Sequence, residues 1–197
     1  MTKPYIVKHI YFQKAKEEDL RARSAFKLDE IQQKFKLVKP GQTLADLGAA
    51  PGSWSQRLSQ WVKSGKVIAM DLQAMEAIAA NVELHQGDMF DPAFLNKIFI
   101  QKVEGVVADL APKTTGIPDA DAFHSAELNE TVLDFCGDHL KPGGYVITKI
   151  FQGEEFAAVV GRAKKLFRAV HCFKPKACRD RSRETYIVGT NFKGMRS

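Results

Sequence analysis

Cysteine is scarce in this sequence. Cys136, Cys172 and Cys178 are the only three among 197 residues, and no two of them form a CxxC pair. An odd, dispersed set argues against a disulfide framework and for a reducing compartment. The paired ligand spacing of zinc sites is missing too, so His171-Cys172 and Cys178 read as ordinary strand and loop residues, and no metal is expected. No apolar run approaches the ~20 residues of a membrane span. Residues 1–13 lack the apolar core of a signal peptide and the Arg and Ser richness of a transit peptide, which makes the cytoplasm the expected location. Internal repeats, low-complexity tracts and long linkers are absent, so residues 1–197 are expected to form one domain. Neither GxGxxG nor Gly-Lys-Ser/Thr occurs at a strand–helix junction, which disfavours a dinucleotide site and a P-loop.

What is present is an uneven charge distribution under a net charge of +6. Residues 1–40 carry ten Lys/Arg and five Asp/Glu, residues 41–161 eight and sixteen, and residues 162–197 eleven and two. Both ends are basic and the middle is acidic. If the ends meet in space they form one positive face, suited to a polyanion such as nucleic acid.

Periodicity predicts an amphipathic helix over residues 21–35, with Ala22, Ala25, Phe26, Leu28 and Ile31 at helical spacing. Beyond the Pro40-Gly41 turn, strands are expected at 43–47, 66–70, 82–86, 105–108, 145–150, 170–173 and 185–188. Helices are expected at 53–62, from Asp91-Pro92 toward Ile100, at 121–140 and at 154–167. Alternation of this kind implies an α/β fold with a mainly parallel seven-stranded sheet and helices on both faces. In such sheets ligands lie at the carboxyl ends of the strands. Asp46, Asp71, Asp88 and Asp109 each stand at such an end, and four in succession form a site pattern.

The loop Asp46-Leu47-Gly48-Ala49-Ala50-Pro51-Gly52-Ser53-Trp54 is the clearest ligand-binding candidate. Gly48 admits close backbone approach, and Pro51 and Gly52 shape the turn into the following helix. The set suits S-adenosylmethionine (SAM), which has no phosphates. Asp46, Gly48, Ala50, Pro51, Gly52 and Trp54 are assigned to its methionine side. Asp71, with Leu72 beside it, is assigned to the ribose hydroxyls, and Asp88 to the adenine amino group. Asp109 adjoins the same pocket.

Residues 11–16, 21–28, 46–56, Ala108-Asp109-Leu110-Ala111-Pro112, Thr148-Lys149 and Ser182-Arg183-Glu184-Thr185-Tyr186 match in order, and across nearly the full length, the FtsJ/RlmE family of ribose 2′-O-methyltransferases, which this chain resembles. The resemblance implies a Rossmann-like, SAM-dependent methyltransferase fold and a Lys27, Asp109, Lys149, Glu184 tetrad, with residues 1–40 as a basic helical extension that contributes Lys27. Ser53, where many members have a second glycine, and Ala108 and Lys113, where serine and asparagine are common, depart from the pattern without removing the tetrad. The residues agree with it. Lys149 ends the apolar run Tyr145-Val146-Ile147-Thr148, an unusual place for a solvated lysine. A ribose 2′-hydroxyl must lose a proton as it attacks a methyl carbon. A lysine becomes a base for it when desolvation and nearby positive charge lower its pKa.

Lys14, Lys16, Arg21, Arg23, Lys174, Lys176, Arg179, Arg181 and Arg183 flank Lys27 and Glu184 and are expected to contact phosphates. Phe12 and Phe26 are candidates either for stacking on bases or for the core. The resemblance further implies large-subunit ribosomal RNA, at a uridine of the peptidyl-transferase A-loop, inside the subunit or a late assembly particle. A monomer without an obligate protein partner is expected. The alternatives are a tRNA 2′-O-methyltransferase, a small-molecule methyltransferase, and a non-catalytic RNA-binding or ribosome assembly factor on the same fold.

Overall fold

The computed structural model describes residues 13–15, 18–179 and 182–194. Tyr11, Phe12, Lys16 and Arg181, which entered the sequence reading, lie outside the described residues. Seven strands form one sheet: β1 (Thr43–Leu47), β2 (Lys66–Asp71), β3 (Val82–Gln86), β4 (Val103–Ala108), β5 (Leu140–Phe151), β6 (Phe167–Phe173) and β7 (Glu184–Phe192). Their order is β3-β2-β1-β4-β5-β7-β6. The first five are parallel, whereas β7 is antiparallel to both β5 and β6.

Strand periodicity divides the core into two layers. Leu44, Val67, Ala69, Val107, Ile147, Tyr186 and Val188 face α1 (Ala25–Phe35) and α2 (Ser53–Val62), where Leu28, Ile31, Leu58 and Val62 are fully buried. Ala45, Ile68, Met70, Val106, Val146 and Ile187 face the other way. There they meet α3 (Pro92–Ile98), α4 (Pro118–His139) and α5 (Phe156–Leu166) through Leu95, Val132, Leu133, Cys136 and Val159. α3 begins where its sequence says it should: Asp91 caps it, accepting from the Ala93 N–H at 2.9 Å, and Pro92 fills the first turn. All three cysteines are free.

Several boundaries differ from expectation, and three of them matter here. The helix expected at 21–35 starts at Ala25 rather than Arg21, because Arg21 serves loops instead (below). The expected turn at Lys141-Pro142-Gly143-Gly144 lies inside β5 as a bulged excursion. Val103 and Gly105 of β4 stand opposite Leu140 and Tyr145, so two residues on one strand span five on the other. Gly143, at φ +82°, supplies the left-handed step this excursion needs. The last strand is also longer than the 185–188 expected, and its start at Glu184 decides the site.

Candidate active site

β7 enters the sheet backwards, so its first residue lies where the parallel strands end. Glu184 stands opposite Phe151, and Tyr186 opposite Lys149. Glu184, Tyr186 and Lys149 therefore share the sheet face that α1 covers, and α1 brings Lys27 to them. Lys27 and Glu184, 157 residues apart, form an ion pair and hydrogen bond with side chains only 12% exposed. Lys149 forms the second pair: its Nζ donates to the Asp109 carbonyl at 2.8 Å and lies 3.2 Å from Asp109 Oδ1. All four residues of the sequence-derived tetrad thus meet at one point.

Tyr186, which sequence reasoning quoted only as part of a motif, joins the two pairs. Its hydroxyl lies 2.7 Å from Asp109 Oδ1 and 3.0 Å from Glu184 Oε1, so its single proton is shared between two carboxylates. The ring is fully buried and stacked on Trp54, with centroids 5.7 Å apart. The alternation Glu184-x-Tyr186 on a strand is the signal that could have found it.

The electrostatics keep both ends of the Lys27–Glu184 pair charged. Burial alone would lower the Lys27 pKa, but the Asp109 and Glu184 carboxylates outweigh it and hold the amine above its ordinary value. Burial would raise Glu184, but Lys27, Lys149 and the Tyr186 hydroxyl hold it below the usual carboxylate range. Burial, then the Asp109 and Glu184 charges, push the Tyr186 phenol far up, so it stays neutral. Cys178 is buried close by and, raised to about 12 chiefly by burial and Glu184, remains a thiol.

A cavity of about 400 Å³ opens at the strand ends on one side of this cluster, a volume in the range of small-molecule sites. Gly48, Ala50, Asp71, Leu72 and Asp109, all assigned to the cofactor from sequence, line it. Gly48 has φ +69°, and a Cβ there would fall 2.0 Å from a Leu110 methyl, so only glycine fits between the loop and Leu110. The Asp71 carboxylate accepts from the Ala50 and Gln73 N–H groups, both at 2.9 Å, which ties the loop after β1 to the end of β2. Sequence reasoning missed Met89, Phe90 and Leu110 in this lining. Leu72 and Phe90, 66% and 57% exposed, are large apolar side chains left open where β2 and β3 end.

The other residues assigned to the cofactor do not line this cavity themselves. Asp46 is buried, accepts a 2.5 Å hydrogen bond from Ser55, and with Trp54 borders a small cavity of about 30 Å³ that shares Gly48, Ala50 and Asp109 with the larger one. Trp54 also donates its indole N–H to the Ser24 carbonyl at 3.0 Å. Pro51 faces the outer side of the loop, and Gly52 precedes α2 as its N-cap. Asp88 turns back on its own chain and accepts from the Phe90 N–H at 2.9 Å. Ser53, the departure from the family pattern, is buried and bonds the Ser24 hydroxyl at 2.8 Å, fastening the loop to the foot of α1.

On the other side of the cluster lies a second cavity of about 340 Å³, lined by Arg23, Lys27, Lys149, Phe151, Ala177, Arg179, Ser182 and Glu184. Two of the expected basic contacts, Arg23 and Arg179, are therefore beside the tetrad. Arg21 is not: its guanidinium donates to the carbonyls of Pro51, Glu76 and Ala77 at 3.1, 3.1 and 2.6 Å. Arg183 pairs with Asp119 at 2.7 Å, and Lys174 donates to the Ser182 carbonyl at 2.7 Å. Phe26 is 7% exposed and packs with Leu20 and Ala177, which makes it a core residue.

A mainly parallel seven-stranded sheet with a reversed β7, a glycine loop after β1 and acidic strand ends defines the Rossmann-like methyltransferase class. The comparisons agree. The model of the FtsJ-like methyltransferases matches residues 20–192. The curated Ribosomal RNA large subunit methyltransferase E of Pelagibacter ubique is 43% identical over 182 residues, covering 91% of this chain and 89% of that protein. A crystal structure titled as a ribosomal RNA methyltransferase from Plasmodium falciparum superposes with a TM-score of 0.79 at 29% identity, over 89% of this chain and 100% of that one. The fibrillarin pre-rRNA processing protein of Methanococcus jannaschii shares the fold alone, with a TM-score of 0.59 at 17% identity over 80% of this chain and 69% of that one. This chain belongs to the FtsJ-like methyltransferase family.

Proposed function

We propose that this protein transfers the methyl group of SAM to a ribose 2′-hydroxyl of large-subunit ribosomal RNA. The observation that carries the reading is the position of the Asp109–Lys149 pair. Asp109 lines the cavity at the strand ends and Lys149 the basic cavity opposite, and the two side chains meet at 3.2 Å. A donor on one side and a sugar on the other would approach each other across that pair. The relative in Pelagibacter supports ribosomal RNA as the substrate. The A-loop uridine and the late assembly particle follow from the family resemblance.

The cofactor's fit is argued from the cavity: its volume, the Gly48-Ala50 loop on its wall, and the Leu72 and Phe90 side chains suited to a flat heterocycle. When bound, SAM supplies an electrophilic methyl on a positively charged sulfur. Asp71, whose carboxylate oxygens each keep a further lone pair beyond their backbone bonds, takes the ribose hydroxyls. Asp71→Ala is expected to weaken cofactor binding ~10–100-fold, as loss of charge-assisted hydrogen bonds does. Calorimetric titration with S-adenosylhomocysteine checks this, and unchanged affinity would remove Asp71 from the role.

Lys149 is the general base in this reading. Asp109 holds its Nζ and the incoming hydroxyl in line. Lys27 stands in the same cavity, held charged by Glu184 and Asp109, and contacts the sugar or phosphate. Glu184 and Tyr186 hold Lys27 and Asp109 in place. The whole chain acts as one methyltransferase domain, with residues 1–40 delivering Lys27, and it acts as a monomer in the cytoplasm.

Arg23 and Arg179 are the basic side chains best placed to hold phosphates. RNA binding should weaken steeply with salt, and Arg23→Ala or Arg179→Ala should each lower the slope of log K against log salt by about 1. A wild-type response that is nearly flat would contradict the polyanion reading. Supplying radiolabelled SAM with large subunits, free ribosomal RNA and tRNA in parallel tests the substrate. Label is expected in the large-subunit RNA. Label in tRNA alone would move the protein to tRNA, and label in none would favour an assembly factor.

A further inference from the structure

β4 and β5 separate at the site. Their register ends at Ala108 opposite Thr148, while β5 continues to Phe151 with β7 as partner. From Lys149 onward the edge of β5 that faced β4 has no strand to bond. Buried backbone groups left unpaired there would each cost ~1–3 kcal/mol.

Two side chains of α4 fill the gap. Asn129 donates its amide to the Lys149 carbonyl at 2.8 Å, and the Ser125 hydroxyl accepts from the Phe151 N–H at 3.0 Å. The second amide hydrogen of Asn129 goes to the Ser125 carbonyl at 2.8 Å, and its oxygen accepts from the Thr148 hydroxyl at 2.8 Å. Asn129, Ser125 and Thr148 are 1%, 1% and 0% exposed, so water does not compete for these bonds. An apolar residue at 129 would satisfy packing but leave the Lys149 carbonyl stranded.

We propose that Asn129 is a positioning residue for methyl transfer: by holding the Lys149 carbonyl it sets the reach of Lys149 to Asp109. Lys149 is fastened at both ends across the opening between β4 and β5, its backbone by Asn129 and its Nζ by the Asp109 carbonyl. A lysine side chain has several rotatable bonds, so its amine has a defined place only when its backbone does. Near an in-line transfer, a displacement of a fraction of an ångström reduces rate steeply. The inference rests on the reading of Lys149 as the base.

The test uses the full chain, large subunits and SAM. Asn129→Leu should lower kcat ~10-fold while leaving KM for RNA and affinity for S-adenosylhomocysteine unchanged. Thr148→Val breaks the same network but leaves the Lys149 carbonyl bonded. It should lose comparable thermal stability and keep kcat. The double variant removes the stranded hydroxyl, should regain stability and should stay slow; it also carries the comparison if Asn129→Leu folds poorly. Wild-type kcat in Asn129→Leu, or kcat that tracks Tm across the set, overturns the proposal. Lys149→Met separates the two failures. If it turns over normally, the base assignment is wrong; if it is inactive while Asn129→Leu is normal, only the role of Asn129 is lost.

Discussion

Lys149→Met should abolish methyl transfer by ~10²–10⁴-fold, the range of a lost general base, with cofactor affinity retained. The amine lies against Asp109, with its side chain 8% exposed, and no other lysine among the described residues shares its contact to the Asp109 carbonyl. Methionine keeps the length and apolar stem but can neither accept a proton nor hold Asp109. The effect should appear in kcat and kcat/KM together, because the interaction acts on the reacting hydroxyl and not on RNA docking. Single-turnover assays at saturating cofactor check this, beside binding of S-adenosylhomocysteine. Retained turnover would remove Lys149 from the chemistry.

Asp46→Asn should flatten the dependence of stability on pH. Burial first, then the charges of Asp109 and Asp71, raise the Asp46 pKa to about 7, with the Ser55 hydrogen bond opposing. A carboxyl whose folded pKa lies above its unfolded one favours the fold while protonated. That contribution is complete below about pH 4 and is lost as pH rises through about 7. The loss is on the order of a few kcal/mol, equal to several degrees of Tm for a chain of this size. Without cofactor, the wild type should lose more Tm between pH 5 and 8 than Asp46→Asn, which still offers Ser55 an oxygen. Parallel curves would contradict the shift. Asp46 thus braces the loop through Ser55, while Asp71 and Gly48 line the larger cavity.

The parallel half of the fold was legible because its signals are local. Alternating apolar residues, Asp91-Pro92 before α3 and an aspartate after successive strands mark elements where they occur. The path of β7 was not legible. A strand's partners are set by tertiary packing, and nothing within residues 184–192 says that they insert antiparallel between β5 and β6. That reversal brings Glu184 to Lys27, so the tetrad was legible through resemblance and not through periodicity. Side-chain partners were the least legible. Arg21 has the composition of a phosphate ligand but reaches three backbone carbonyls, and Phe26 has the chemistry of a stacking platform but lies in the core. Asn129 looks like one more polar residue in a helix, until β4 and β5 part beside it and leave a carbonyl that its amide reaches.

The account depends on Lys149 facing a sugar hydroxyl and not a base. Nucleoside mass spectrometry of large-subunit RNA methylated by the protein locates the added carbon on one side of the glycosidic bond. A nucleoside whose extra 14 mass units (one CH₂, ~14 Da) stay with the ribose fragment is the predicted result, since the lysine there can deprotonate only a group that enters beside Asp109. Mass retained on the base fragment would contradict it.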